Sequence, residues 1–163
     1  MNKTLYISDL DGTRLNQNAE LSPYTKDALN QMIADGLNFS VVTARTAASA
    51  FIILGGVQWT VPIVLLNGVL IYDNLQKRYV QVLSLSEKTT SAIISVLQKL
   101  NTTGLMYQLK NDEQVTYYET LEHTPLRDFI EERKIRYNKV FHEVKTVEGL
   151  QRSVDWLRER GFI

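Results

Sequence analysis

The fold of this chain is decided by Tyr6-Ile7-Ser8-Asp9-Leu10-Asp11-Gly12-Thr13. An apolar run, Leu5–Ile7, predicts a short buried strand that leads directly into two aspartates spaced i, i+2. Since residues i and i+2 of a strand point the same way, Asp9 and Asp11 are expected to face one site at the strand's carboxyl end. Gly12 follows where the backbone has to turn sharply. A β-turn rich in Asp and Gly has the same local composition, so other parts of the chain have to decide between the two interpretations.

The composition is that of a soluble globular protein. The chain has 163 residues, of which 44% are hydrophobic and 22% charged, enough for one domain or for a small domain plus part of another. Eighteen basic and eighteen acidic residues balance, so nothing indicates nucleic acid as a partner. The absence of cysteine excludes disulfides and thiolate nucleophiles. No apolar run approaches ~18 residues, so we expect no membrane contact and a cytoplasmic protein.

The first part of the chain alternates strands and helices. Ser22 suits a helix N-cap and Pro23 the first helical position. Two further strands are predicted at Leu37–Val42 and Ile63–Leu66, with a helix from about Thr46 to Leu54 between them. The order strand, helix, strand, helix, strand predicts an α/β fold with a Rossmann-like parallel sheet and right-handed crossovers.

From about residue 69 the pattern changes. It predicts hairpins around Asp73-Asn74 and Asn111-Asp112, a strand at Val140–Val144, and helices that begin near Ser86, Pro125 and Thr146. These elements are typical of an α+β module. We therefore expect a first domain of residues 1–82 and a second, possibly incomplete, of residues 83–163.

Polar residues follow each of the first three predicted strands. Asp9 and Asp11 follow the first, Thr43 and Arg45 the second, and Asn67-Gly68 the third. Such a set suits a phosphate ester: Asp9 can attack phosphorus, and Asp11 can protonate the leaving oxygen and then activate water. A hard cation such as Mg²⁺ would relieve the repulsion between the two carboxylates. Taken singly, the later residues also fit a plain strand end, a solvated charge and a turn.

Three ordered motifs resemble one family. Residues 7–13 look like the first signature of the haloacid dehalogenase (HAD) superfamily, and Val41-Val42-Thr43-Ala44-Arg45 resembles its second. Residues 66–73 are similar to the segment after the third strand in Cof-type, class IIB members. Together the motifs cover roughly residues 3–83.

The resemblance implies a Mg²⁺-dependent phosphatase that acts on small phosphorylated metabolites such as sugar phosphates. Asp9 matches the nucleophile that becomes an aspartyl-phosphate, and Asp11 matches the general acid/base whose backbone oxygen binds Mg²⁺. The resemblance thus implies Asp9 and Asp11 as the Mg²⁺ ligands of this chain. The second domain matches a cap that selects the substrate. The residues implied to bind phosphate or substrate are Leu10, Gly12, Thr13, Thr43, Ala44, Arg45, Asn67 and Gly68.

The chain departs from the family pattern in two ways. Arg14 stands where a leucine is usual, as a cation that either helps to hold phosphate or faces solvent. The lysine motif and the Gly-Asp…Asp motif that follow the cap in the family are not found. We therefore expect a chain that ends inside or just after the cap and binds Mg²⁺ weakly. The first strand would then be an exposed sheet edge that pairs with a second copy, as a homodimer, or with another partner.

Two other hypotheses stay open. One is a catalytically incompetent remnant that binds phosphorylated metabolites. The other is an interaction module that uses the tyrosines of the second domain, although packing at strand and helix faces explains these better; they are Tyr107, Tyr117, Tyr118 and Tyr137.

Overall fold

The computed structural model describes residues 4–144 apart from residues 101, 103, 111 and 120–124. The chain divides into two compact units, with the division between Ser84 and Leu85. The first unit contains β1 (Leu5–Asp9), α1 (Pro23–Ala34), β2 (Asn38–Val42), α2 (Ala47–Leu54), β3 (Ile63–Leu65), β4 (Leu70–Asp73) and β5 (Arg78–Val82). The second contains α3 (Glu87–Lys99), β6 (Leu105–Lys110), β7 (Glu113–Glu119), α4 (Pro125–Tyr137) and β8 (Val140–Val144). The helix predicted from Thr146 lies outside the described residues.

The five strands of the first unit form one sheet in the order β1-β2-β3-β4-β5. The pairs β1–β2 and β2–β3 are parallel, which confirms the predicted α/β core. A single 3-10 turn, Leu66–Gly68, then reverses the chain, so β3–β4 and β4–β5 pair antiparallel. The carboxyl ends of the three parallel strands therefore lie along one edge of the sheet, as the motif pattern requires.

The helices of this unit begin where the sequence predicts. Ser22 accepts a hydrogen bond on Oγ from the Thr25 amide at 3.1 Å, and Pro23 occupies the first turn of α1. This helix buries Leu29 and Ile33 in the core, whereas Met32 is 44% exposed. The capping arrangement satisfies an amide that the helix itself leaves without a partner.

The strand β1 lies at the edge of the sheet. Among the described residues it pairs only with β2. Leu5, Tyr6 and Ile7 are 50%, 53% and 56% exposed. The interpretation of Leu5–Ile7 as a buried strand was therefore wrong, because apolar composition alone does not distinguish a central strand from an edge strand.

The second unit is an α+β module. Its sheet has the order β6-β7-β8, with β6–β7 antiparallel and β7–β8 parallel. Among the described residues of this unit, the buried side chains are Ile94, Thr116, Tyr118, Ile130 and Tyr137. Two of the four tyrosines considered for an interaction surface thus serve packing. In the described part of the chain, no helix has the length and apolar character needed to cross a membrane.

Candidate functional site

The loop after β1 is closed on the carbonyl of Leu10. This oxygen accepts hydrogen bonds from the amides of Thr13 at 3.2 Å, Arg14 at 2.9 Å and Leu15 at 3.2 Å. The Leu10 side chain is fully buried, so it fixes the loop to the core. Gly12 has φ +72°, a left-handed conformation that costs most other residues free energy. The result is a tight turn that leaves both neighbouring aspartates exposed to solvent.

Arg45 holds the second aspartate of this loop. Its Nε lies 2.9 Å from Asp11 Oδ2, and its Nη2 lies 2.5 Å from Oδ1. The Arg45 side chain is only 14% exposed, whereas that of Asp11 is 53% exposed. Because a planar guanidinium and a carboxylate match as a two-pronged pair, this contact fixes orientation as well as distance.

Thr43 links the ends of the second and third strands. It is 1% exposed, and its Oγ1 accepts a hydrogen bond from the Arg45 amide at 3.1 Å. Its main-chain oxygen accepts from the Asn67 amide at 3.0 Å, and the oxygen of Arg45 accepts from the Leu66 amide at 3.1 Å. The turn after β3 is therefore fastened to the turn after β2 by main-chain hydrogen bonds.

The turn after β3 has an unusual backbone. Leu66, Asn67 and Gly68 have φ values of +50°, +53° and +99°. Asparagine and glycine adopt this left-handed region with little strain, but leucine does so rarely. The main-chain hydrogen bonds from this segment to Thr43 and Arg45 offset the backbone strain at Leu66. The side chain of Asn67 is left exposed at the same end of the sheet.

The structure brings together most of the residues that the sequence singled out. Asp11, Arg45, Thr43 and Asn67 are connected by the hydrogen bonds described above. Asp9 is exposed at the end of β1 and is in register with Val42, the residue before Thr43. Thr13 and Ala44 are exposed in the adjoining turns, and Gly68 is half-buried. Leu10 has only its main chain available for a ligand, because its side chain lies in the core.

Two residues near Asp9 take part in contacts that sequence reasoning missed. Arg14 donates from Nε to Ser8 Oγ at 2.9 Å, and Ser8 Oγ donates to the Asp9 carbonyl at 2.9 Å. Arg14 is exposed, in agreement with the expectation of a solvent-facing charge, and its hydrogen bond to Ser8 adds to that expectation. The only sequence signal was that arginine replaces the leucine usual at this position.

The donor set at this edge fits a hard cation in part. Mg²⁺ in phosphate-processing proteins is commonly held by one or two carboxylates, with phosphate and water oxygens completing its shell. The exposed carboxylate of Asp9 is a donor of this kind, while the Asp11 carboxylate is engaged by Arg45. Within the described ranges, no group of three or more His, Cys, Asp or Glu side chains is placed to hold a metal ion.

An α/β unit with paired aspartates, a threonine and an arginine at the carboxyl ends of adjacent parallel strands defines the class of haloacid dehalogenase-like folds. The profile of the family described as haloacid dehalogenase-like hydrolase matches residues 6–154. The chain belongs to this family. A search of curated proteins found no match.

Solved structures of the same fold are similar over most of this chain. A haloacid dehalogenase-like hydrolase from B. subtilis aligns with TM-score 0.65 and 20% identity, over 90% of this chain and 56% of its own. The protein TM0651 from Thermotoga maritima aligns with TM-score 0.64 and 21% identity, over 90% and 51%. The HAD subclass IIB sugar phosphatase BT4131 aligns with TM-score 0.58 and 15% identity, over 89% and 54%. The chain thus spans about half the length of the structures it matches.

Proposed function

We propose that this chain carries the nucleophile half of a HAD-type phosphatase site that hydrolyses monoesters of small phosphorylated metabolites. The observation that supports this most directly is the two-pronged Asp11–Arg45 pair beside the exposed carboxylate of Asp9. It supports the proposal because two carboxylates and a guanidinium lie at one edge of a parallel sheet, where such folds bind ligands. A cytoplasmic location accompanies this proposal.

In the proposed reaction the carboxylate of Asp9 attacks phosphorus, and the bond from phosphorus to the ester oxygen breaks. Asp11 gives its proton to the departing alcohol oxygen. Asp11 then removes a proton from water, which attacks the aspartyl-phosphate; phosphate leaves and Asp9 is restored. Asp11 can carry this proton once Arg45 turns from its carboxylate to the phosphoryl oxygens, where the guanidinium stabilises the developing negative charge.

The residues proposed to hold Mg²⁺ are Asp9, through its carboxylate, and Asp11, through its main-chain oxygen. When bound, the ion would reduce repulsion between the anionic substrate and Asp9. The Thr43 hydroxyl and the amides of the loop after β1 are proposed to hold phosphoryl oxygens. Asn67 and Gly68 are proposed to face the substrate, since their turn is fastened to Thr43.

We propose residues 83–163 as the cap that selects the substrate, with sugar phosphates as the substrate class. The support is the similarity to BT4131, which is described as a subclass IIB sugar phosphatase.

The test is hydrolysis of p-nitrophenyl phosphate, with and without MgCl₂, by the chain and by Asp9→Asn. Turnover that needs Mg²⁺ and is lost in Asp9→Asn supports the proposal. Because Asp9 is exposed, the variant should unfold at the same temperature as the parent. Asp27→Asn, an exposed aspartate on α1, is the matched control and should keep full activity.

Thermal unfolding with and without phosphate, measured beside the hydrolysis assay, separates the catalytic proposal from a binding remnant. A remnant would be stabilised against heat by inorganic phosphate or glucose 6-phosphate, yet would release no phosphate at any enzyme concentration. If neither turnover nor stabilisation is seen, both versions of the site fail.

A further inference from the structure

The backbone of Asp9 is held by a short relay of hydrogen bonds that begins at Arg14. Arg14 Nε–H donates to Ser8 Oγ at 2.9 Å, and the Ser8 hydroxyl donates to the Asp9 carbonyl at 2.9 Å. Ser8 is buried, with 9% exposure, so water competes little for its hydroxyl. A cationic donor polarises the hydroxyl that it binds and so strengthens the next bond in the chain.

The guanidinium is placed by a second contact. The Arg14 Cζ lies 5.8 Å from the ring centroid of Phe39, within the range of a cation–π interaction. Phe39 is 6% exposed and stacks on Trp59 at 6.1 Å, so the ring is a fixed support. The Arg14 amide also donates to the Leu10 carbonyl at 2.9 Å. Side chain and main chain of one residue therefore fasten both ends of the Asp9–Leu10 segment.

The relay lies on the opposite face of the strand from the nucleophile. Side chains alternate along β1, so Ser8 and Asp9 point to opposite faces. Ser8 is in register with Val41, two residues from Phe39 on β2, which places all three on the face that Arg14 covers. Arg14 therefore acts on Asp9 through its main chain and does not meet the carboxylate.

We propose that Arg14 is a positioning residue that, through Ser8, fixes the peptide unit between Asp9 and Leu10. Because a peptide unit is planar, fixing the direction of the Asp9 carbonyl also fixes the direction of the Leu10 amide. That amide is the part of Leu10 that can meet a ligand, since its side chain is buried. The catalytic consequence of this inference rests on the proposed function. The hydrogen bonds of the relay can be measured by NMR whether or not the chain is active.

The relay is tested by NMR of the full chain and of the variants Arg14→Leu, Ser8→Ala and the double variant. The carbonyl carbon of Asp9 and the amide nitrogen of Leu10 report the hydrogen bond directly. Each single variant should move the Asp9 carbonyl carbon upfield, and the double variant should move it no further than Ser8→Ala alone. Arg78→Leu is the matched control, because Arg78 is also exposed and donates from Nε to a neutral side-chain oxygen, Gln76 Oε1 at 2.7 Å. It should leave both signals unchanged.

Kinetics provide a second readout. With p-nitrophenyl phosphate, Arg14→Leu should lower kcat by about fivefold, the worth of one ordinary hydrogen bond, and leave KM within about twofold. If the chain shows no turnover, the proposed function is overturned. The NMR comparison still shows whether Arg14 acts on the Asp9 carbonyl through Ser8. The relay is overturned if Arg14→Leu leaves the Asp9 carbonyl signal in place, or if its effect persists in the Ser8→Ala background. Arg14→Met, which also lacks a hydrogen-bond donor, makes the same comparison should the leucine variant not fold.

Discussion

Arg45 donates to both carboxylate oxygens of Asp11, at 2.9 Å from Nε and 2.5 Å from Nη2. The two residues are far apart in sequence and follow neighbouring parallel strands, so the pair joins the turn after β1 to the turn after β2. The guanidinium is largely buried while the carboxylate is half exposed. A ligand that reaches Asp11 therefore meets an aspartate whose orientation is already set.

Replacing Arg45 by lysine should distinguish the effect of its positive charge from that of its two parallel hydrogen bonds to Asp11. Arg45→Lys keeps the positive charge but cannot donate two parallel hydrogen bonds to Asp11. We expect the free energy of unfolding to fall by about 1 kcal/mol, a modest loss because the partner is exposed. We expect kcat/KM for p-nitrophenyl phosphate to fall by at least about tenfold. Urea denaturation and initial rates measure the two effects.

Asp11→Asn completes a double-mutant cycle for this pair. If Arg45→Lys costs as much stability in the Asp11→Asn background as in the parent, the pair does not contribute in solution. Arg78→Lys, at an exposed arginine outside the site, should change neither quantity.

The buried hydroxyl of Thr43 can be removed without creating a cavity. Thr43→Val keeps the branched shape but leaves the Arg45 amide without its acceptor at 3.1 Å. We expect a loss of about 1–2 kcal/mol in the free energy of unfolding and loss of stabilisation by inorganic phosphate. Thermal unfolding with and without phosphate gives both results.

Thr116→Val is the control for this change. Thr116 is also 1% exposed but belongs to the second unit, on β7. Thr116→Val should still be stabilised by inorganic phosphate. If both variants lose this stabilisation equally, Thr43 has no specific role in binding phosphate.

The left-handed turn after β3 allows backbone and side-chain roles of Asn67 to be distinguished. Asn67 has φ +53° and ψ +36°, which glycine adopts freely. Asn67→Gly should therefore leave stability within about 0.5 kcal/mol, whereas Asn67→Ala should lower it by about 1 kcal/mol. If Asn67 faces the substrate, both variants should change the ratio of kcat/KM between two sugar phosphates by a similar factor. If neither variant changes this ratio, the Asn67 side chain does not contact the substrate.

Much of the fold was predictable because its signals are local. Ser22-Pro23 marks a helix start, and a short apolar run followed by Asp9 marks a strand of the parallel sheet. The same locality explains the error at Leu5–Ile7. Burial of a strand depends on what lies on both sides of it, which the strand's own residues do not encode.

The internal geometry of the site was not predictable from the motifs. The sequence indicated that Asp11 and Arg45 share one edge, but not that they pair. The φ of Leu66 is unusual for a leucine and is held by contacts with another loop. The relay from Arg14 to Ser8 depends on the side chain folding back over Phe39, which only the register of β1 and β2 determines.

Alkaline pH should weaken the second unit through Tyr117. Partial burial raises the pKa of this phenol above its ordinary value of 10.0, and its hydroxyl donates to Gln108 Oε1 at 3.0 Å. The folded state thus holds the proton more tightly than the unfolded state. The associated stability is present below about pH 10 and is lost as the pH rises through the folded-state pKa.

Denaturation between pH 8 and pH 11 checks this dependence. Tyr117→Phe should lose less stability than the parent over this range. Tyr24→Phe, at a tyrosine that is 82% exposed, should follow the parent. Identical pH profiles for the parent and Tyr117→Phe would contradict the assignment.

The exposed edge at β1 should make the chain self-associate. In the described part of the molecule this strand has a free hydrogen-bonding side, and three successive apolar residues on it are at least half exposed. Two copies can pair antiparallel through the same strand about a twofold axis, which continues the sheet and covers these side chains. Small-angle scattering over a concentration series should show a dimer, and Ile7→Lys should shift it to monomer because a lysine would be placed against its own symmetry mate. Ile52→Lys introduces the same charge on α2 at a position of nearly equal exposure, 55% against 56%, and should leave the dimer intact. A monomer at every concentration, or equal effects of the two substitutions, would show that this edge does not mediate pairing.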